Sequence, residues 1–399
     1  MKNIILFDDP VVRENLLPLS FTRPLADFRV GITTIRSKWE MVVRGVYSYK
    51  TVDYLQEKYP MKEEDVNLYI AGNICPDYSD EFKSMIDGLS AGEAVLDADD
   101  ALIAACCSAS VFESGDFAKI VRYDGNLLKI NMLFDVFMNN GDAIRNDYKM
   151  LDFAESQSLS ETCTLIGPEK GEDGRPMVYI APGASVEGVF INTTHGPVFI
   201  GPDATVMEGS CLRGPVAVCR HATVNMGTKV YGDTTIGPWS KVGGELNNAV
   251  IFGYSNKAHD GFLGNAVLGE WCNLGAGCVA SNLKNDYTRI KLWNYPSHRF
   301  LKTDLQFCGL IMGDHSKAGI NTMFNTATVV GVGCNRHGSG FPRTFIPSFS
   351  EGGFTGMSDV SLAKFFEIAA RVMARRGKAL TDVDRTLFEA INRIAETYK

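Results

Sequence analysis

Two stretches of the chain hold residue types able to do chemistry. The first lies within forty residues of the start, where Arg13, Arg23, Arg29 and Lys38 follow the acidic pair Asp8-Asp9. Guanidinium forks and an ammonium group neutralise a triphosphate through bidentate and point-charge contacts. Mg2+ favours a carboxylate beside phosphate oxygens. Asp8 or Asp9 is therefore the candidate metal ligand, and Arg13, Arg23 and Lys38 are candidate nucleotide ligands. The same charges would equally serve as a helix cap and a solvated surface. The second stretch, Ser255 to Asn282, reads SNKAHDGFLGNAVLGEWCNLGAGCVASN. An imidazole such as that of His259 accepts a proton near neutral pH. Gly275 and Gly277 flank Ala276 with bare backbone that a ligand can approach closely, and a main-chain N–H there can hold a developing oxyanion. The competing reading is a corner histidine with no catalytic task. His195, His221, His298, His315 and His337 read as surface or loop residues, and no two histidines are closer than 17 positions, which leaves no close pair for zinc.

The charge balance decides where an anion can bind. With 39 basic against 47 acidic side chains the net charge is −8, so general nucleic-acid affinity is not expected and any anionic ligand must meet a local basic cluster. A length of 399 residues suggests two or three domains, and 45% hydrophobic with 22% charged residues is an ordinary globular composition. No apolar run approaches the ~20 residues of a membrane span. Asp8 and Asp9 come too early for a secretory segment, so a cytoplasmic location is expected. The ten cysteines contain no CxxC pair and are expected to be reduced and mostly buried.

The elements that must position the second stretch show themselves by period. Stepping by six from Ile200 meets Val206, Leu212, Val218, Val224, Val230, Ile236 and Val242 without a miss. Four places after each comes a mostly small residue, such as Ala204, Ser210, Ala222, Thr228, Thr234 and Ser240. Met312, Ala318, Phe324 and Val330 repeat the step, and Leu268 and Leu274 continue it after one five-residue step from Leu263. A period of six fits neither a helix nor a simple alternating sheet. Three hexapeptides close one triangular coil, and such coils stack as a parallel β-helix with an aliphatic ladder inside and small residues at the corners. This hexapeptide form is wound left-handed, against the usual crossover rule.

The flanks read differently. Strand candidates at Asn3–Phe7 and Val66–Ala71 alternate with helical stretches near Ile32–Val43 and Glu81–Leu89, as in an α/β domain. Residues 283–307 interrupt the repeat as a protruding hairpin or loop. After Gly352-Gly353 come two helical stripes, the second opened by Thr381 with Asp384 as a capping box. This tail is expected to pack on the prism or on a neighbouring subunit, in a purely structural role.

Lys257-Ala258-His259, Leu263-Gly264 and Asn273-Leu274-Gly275-Ala276-Gly277 together resemble the acetyltransferase half of a bifunctional family. That family comprises the N-acetylglucosamine-1-phosphate uridyltransferase/glucosamine-1-phosphate acetyltransferase enzymes, and the likeness is strongest to their divergent bacterial branch. Gly309 to Thr322 is similar to the archaeal continuation of the same coil. The resemblance implies an α/β nucleotidyltransferase-like domain at 1–155, a left-handed β-helix acyltransferase-like domain at 156–350 and a helical segment at 351–399. It implies that His259 takes a proton from a sugar amine so that the amine can attack acetyl-CoA. It makes Asn273 and Lys229 substrate ligands and Gly275 and Ala276 acetyl-CoA contacts, and Lys257, Lys317 or Lys284 are candidates to substitute for the family lysines this chain lacks, Lys257 being taken as a further substrate ligand. It also implies a homotrimer with acyl sites in clefts between neighbouring prisms. The chain departs from the family at Phe262 for a tyrosine, at Asn247 and Asn248 for paired lysines, and at Gly309 for a lysine. In the first domain the glycine-rich triphosphate loop of the family has no counterpart, because no glycine precedes Gly31. Leu16 to Gly31, with Thr22-Arg23-Pro24, resembles the divergent branch instead. The expected function is His-dependent acetyl transfer to an amino sugar phosphate, with NTP- and Mg2+-dependent nucleotidyl transfer to a sugar 1-phosphate. Two alternatives stand beside it: nucleotidyl transfer alone with the β-helix as a trimerising scaffold, or a non-catalytic nucleotide-sugar-binding protein.

Overall fold

The computed structural model describes residues 1–399, and their contacts gather into two units. One comprises Met1–Leu16, Thr22–Phe28 and Thr33–Met132, the other Leu17–Phe21, Arg29–Ile32 and Leu133–Lys399.

The first unit is built on a six-stranded sheet in the order Gly45–Lys50, Lys2–Phe7, Asn67–Ala71, Leu102–Cys107, Glu93–Asp97 and Lys119–Tyr123. Lys2–Phe7 is parallel to both neighbours, Leu102–Cys107 is antiparallel to both of its own, and the outer pair is parallel. The unbroken apolar run Ile4-Ile5-Leu6 is buried on both faces, as a central strand requires. Helices start where a side chain can take the orphan N–H groups: Asp9 before Pro10–Asn15, Thr34 before Ile35–Val42, and Ser79 before Asp80–Asp87.

The second unit is the expected β-helix. Parallel strands run from Thr164–Ile166 to Ser350–Gly353 and form two large sheets of fifteen and ten strands, the second closed by the antiparallel strand Gly356–Asp359. Along the ten-stranded face Thr205, Thr223 and Lys241 are register partners at the 18-residue spacing of three hexapeptides. The next two coils are shorter, with Lys241 opposite Asn256 and Asn256 opposite Asn273, steps of 15 and 17 residues. The aliphatics of the six-residue step are all buried inside the coil. The small residues four places on earn their position through hydroxyls that satisfy corner carbonyls: Thr228 Oγ1 donates to Asn225 O at 2.5 Å, Thr322 to Gly319 O at 2.8 Å and Thr328 to Asn325 O at 2.7 Å. The insertion between Asn273–Leu274 and Lys317–Ala318 carries an antiparallel hairpin, Lys291–Asn294 with Arg299–Lys302. Its ends meet at a bridge between Leu283 and Phe307. Helices Leu362–Ala374 and Asp382–Ala395 follow, the second with the Thr381/Asp384 capping box. All ten cysteines are free, seven of them buried. No helix is long and apolar enough to cross a membrane.

One corner of the coil is lined by residues in the left-handed backbone region: His221 at φ +55°, Trp239 at +61°, Tyr254 at +54°, Trp271 at +61° and His315 at +59°. Their rings are in contact: His221 lies tilted on Trp239 with centroids 4.2 Å apart, Tyr254 stacks on Trp271 at 4.3 Å and Trp271 on His315 at 6.0 Å. His315, expected at the surface, is instead buried. Phe365 and Phe388 of the two carboxyl-terminal helices close edge-on over its ring at 5.6 and 5.2 Å. The tail therefore packs on the prism through an aromatic contact.

Candidate active site and its basic cleft

The two short coils place His259 at a corner of the prism. Gly243, one coil below, is obligatory there, because a Cβ would collide with the Ala258 carbonyl oxygen. Gly261, at φ +124°, has a backbone conformation few other residues adopt, and a Cβ on it would collide with the Cys278 carbonyl. The His259 side chain is exposed and makes no hydrogen bond within the chain. One coil above, Gly277 N donates to Asp260 O at 3.0 Å and Gly275 N to Ala318 O at 2.9 Å, while the N–H of Ala276 between them donates to nothing in the chain. That N–H is available to a ligand oxygen.

His259, Asn273, Gly275 and Ala276 line one cleft of about 610 Å3. Asn273 is held in a polar relay: Asn256 Nδ2 donates to Asn273 Oδ1 at 3.4 Å, and Arg376 Nη2 donates to Asn256 Oδ1 at 3.3 Å. The remaining walls are basic and aromatic. Lys241, Lys317, Arg375 and Arg376 line the cleft beside Tyr254 and Trp271, and no carboxylate is among its lining residues. Burial and the neighbouring Arg375 lower the affinity of Arg376 for its proton, and burial does the same for Lys317. Sequence reasoning named Lys317 as a substitute for the missing lysines but missed the arginines. Arg375-Arg376 read locally as basic residues ending a helix, where they complement its dipole, more than a hundred positions from His259. Through Arg375 and Arg376 the tail contributes to the lining of the cleft.

Two expected substrate ligands lie elsewhere. Lys229 is exposed on a strand between Cys211 and Glu245, in the fifteen-stranded sheet, whereas Asn256 and Asn273 belong to the ten-stranded one. Lys257 is buried inside the coil, 1% exposed, in the ladder position between Val242 and Leu274. Its ammonium donates to Gly243 O at 3.1 Å and to the carbonyl of His259, tying the histidine's corner to the coil below. Burial pushes it down to about 8 from an ordinary 10.5. Between those values the unfolded chain binds the proton that the folded chain releases, so stability rises with pH there, and below 8 the burial penalty is complete. Lys257→Met removes this term. The stability of the variant relative to wild type is expected to fall by on the order of 3 kcal/mol between pH 8 and 10.5, read from urea midpoints across that range. A pH-independent difference would show that Lys257 carries no such linkage.

The three basic residues named as nucleotide ligands are not solvated. Arg13, Arg23 and Lys38 are 4%, 5% and 1% exposed. Asp8 Oδ2 accepts from Arg13 Nη1 at 2.8 Å and from Thr51 at 2.5 Å, and its Oδ1 accepts from Leu25 N at 2.8 Å. Arg13 also donates to Arg23 O and to Tyr54 Oη, both at 3.1 Å. Burial pushes the Asp8 carboxyl above its ordinary value, and Arg13 opposes that push. With both oxygens engaged, Asp8 does not fit a metal ion. Asp9 caps the first helix through one oxygen, which accepts from Val11 N and Val12 N at 2.9 Å each. No group of three or more potential metal ligands converges anywhere in the chain. Arg29 is apart from this set, donating to Phe252 O at 2.9 Å and to Ile32 O at 2.6 Å within the second unit.

In the chain, an α/β sheet with buried basic residues is followed by a hexapeptide coil with a basic cleft. Residues 4–154 match the family model of sugar nucleotidyl transferases. Among named proteins, the chain is similar to the bifunctional protein GlmU of Methanocaldococcus jannaschii, 30% identical over 121 residues, which is 30% of this chain and 27% of that protein. It is likewise similar to GlmU of Corynebacterium glutamicum, 30% identical over 168 residues, covering 39% of this chain and 30% of that one. With GlmU of Rhodococcus opacus it shares 29% identity over 185 residues, covering 44% and 32%. The matched region therefore spans about a third or less of each relative's length. The crystal structure of the polySia-specific acetyltransferase NeuO overlaps 51% of this chain and 87% of its own at 11% identity and a TM-score of 0.28, a likeness too slight to inform the site.

Proposed function

We propose that the chain transfers the acetyl group of acetyl-CoA to the amine of a phosphate-bearing amino sugar in the cleft around His259, and that its first domain transfers a nucleotidyl group from an NTP to a sugar 1-phosphate. The observation that carries the first half is the meeting of an exposed imidazole, Asn273 and the undonated N–H of Ala276 in a cleft walled by four cations. His259 takes the proton of the attacking ammonium, because only the free amine carries the electron pair that forms the N–C bond. The Ala276 N–H receives the charge that develops on the carbonyl oxygen, and the C–S bond then breaks to release the thiol. The division of labour follows residues 1–155, 156–350 and 351–399, with Lys229 on a different sheet available to the cleft of an adjoining copy in a homotrimer. A cytoplasmic location goes with these substrates. For the first domain, Arg13, Arg23 and Lys38 are the ligands proposed for the triphosphate; all three are buried, Arg13 against Asp8 and Tyr54, so they would reach it only if the segment around them opened. Mg2+ would rest on phosphate oxygens and Asp9, whose cap bonds occupy a single oxygen.

Acetyl-CoA-dependent thiol release with glucosamine 1-phosphate and a panel of amino sugars, compared between wild type and His259→Ala, tests the acyl transfer. A melting temperature raised by UTP or dTTP with Mg2+ but not by acetyl-CoA, together with absent turnover, would replace this reading with nucleotidyl transfer on a scaffold. A response to neither would favour a binding protein without catalysis.

A further inference from the structure

We propose that the wall made by Lys241, Lys317, Arg375 and Arg376 beside Tyr254 is a nucleoside diphosphate site, the cations holding the two phosphates and Tyr254, backed by the buried Trp271, taking the base. This deepens the acyl-transfer reading, on which the site's meaning for the reaction rests, though its binding is testable by itself. Four cations lie in one cleft of a chain with net charge −8, and none of the four pairs with a carboxylate. Neighbouring basic residues on the same helix behave otherwise, Lys364 pairing with Glu351 at 2.6 Å and Arg371 with Glu367 at 2.9 Å. A helix dipole would explain cations at its carboxyl end. It does not explain why Arg376 turns onto Asn256 of the prism, or why two lysines from other coils join it. Like charges gathered without counterions repel one another, and a bound polyanion relieves that cost.

The number of cations and the wall beside them identify the anion. A monophosphate carries at most two charges and needs no aromatic partner. A diphosphate matches four cations, and a nucleobase supplies the flat face that packs against Tyr254, whose ring lies 4.3 Å from that of Trp271 at an interplanar angle of 12°. A cleft of about 610 Å3 lies within the size range of small-molecule sites. Two reactants could bring such a group, the donor through the phosphorylated adenosine diphosphate of coenzyme A or the acceptor as a nucleotide-linked amino sugar. The second source would also account for the absence of basic residues at Asn247 and Asn248, since a sugar 1-phosphate would then not be the acceptor.

Isothermal titration of the full-length chain with 3′-phosphoadenosine 5′-diphosphate, UDP and inorganic phosphate decides the matter, using wild type, the double variant R375A/R376A, Tyr254→Leu and His259→Ala. At least one diphosphate is expected to bind, with affinity falling as salt rises. The double variant, folded by circular dichroism, should bind at least about tenfold more weakly. Tyr254→Leu should weaken the nucleotides by about three- to tenfold and leave inorganic phosphate unchanged. Preference for the adenosine compound assigns the site to the donor, and preference for UDP assigns it to the acceptor. Unchanged binding in His259→Ala without turnover in the wild type would remove the acyl-transfer reading and keep the site. No diphosphate binding at millimolar concentration, or affinity untouched by R375A/R376A, would overturn it, the latter placing any nucleotide elsewhere in the chain.

Discussion

His259→Ala is expected to lower kcat for acetyl transfer by about 10²- to 10⁴-fold, the usual worth of a general base, with KM for both substrates little changed. The split follows from timing: the proton moves as the N–C bond forms, so the imidazole stabilises the transition state more than the bound substrates. The fold should not respond. The side chain is exposed and hydrogen-bonds to nothing in the chain, and substitutions at such surface positions usually fall within about 0.5 kcal/mol. Added imidazole should restore part of the lost turnover in the alanine variant and none in the wild type. Turnover that survives the substitution would end the assignment of His259 as the base.

The second large effect is expected in the first unit. Arg13→Met should destabilise it by about 3 to 5 kcal/mol, because the substitution leaves the Asp8 carboxylate buried without its partner. Tyr54 and the carbonyl of Arg23 lose a donor at the same time. With Arg13 gone, only the upward push of burial acts on Asp8, opposed by the Thr51 and Leu25 donors. A carboxyl raised in the folded state contributes stability that is complete below its unfolded value and is lost as pH rises through the folded one. The defect should therefore be smaller near pH 4 than at pH 7. Adding Asp8→Asn to Arg13→Met should recover part of the loss, since no charge is then stranded, and urea titrations of the four chains give the coupling directly. Equal stability of Arg13→Met and wild type at pH 7 would show that the pair is exposed to water.

How much of this could be read in the sequence differs from element to element. The eight aliphatics from Ile200 to Val242 declared the coil because an interior ladder admits little else, and each lies inside it. The same rule hid Lys257. It occupies the ladder six places after Ile251 and six before Leu263, yet a lysine beside a histidine reads as a ligand on a loop, and only the three-dimensional coil shows that its ammonium spends its bonds on corner carbonyls. Arg13, Arg23 and Lys38 were legible as a set of charges but not as buried ones, and the contacts that hold Arg13 inside, to Asp8 and to the distant Tyr54, follow from no local pattern. Arg375 and Arg376 belong to the cleft only because Phe365 and Phe388 seat their helices over His315. A ring packed on a corner from a distant helix leaves no periodic trace.

A coil shares its backbone hydrogen bonds only with the turn before and the turn after, so its resistance to opening accumulates rung by rung rather than through one central core. Fraying begins where a turn has a neighbour on one side only, as at Thr164–Ile166. The other end is sealed by the antiparallel ribbon Ser350–Gly353 with Gly356–Asp359 and by the helices that follow. The rung of Asn273 lies between these limits, with paired turns both below and above it. Amide exchange should slow from the amino-terminal turns toward it, making the histidine's corner and the basic cleft the last part of the column to come apart.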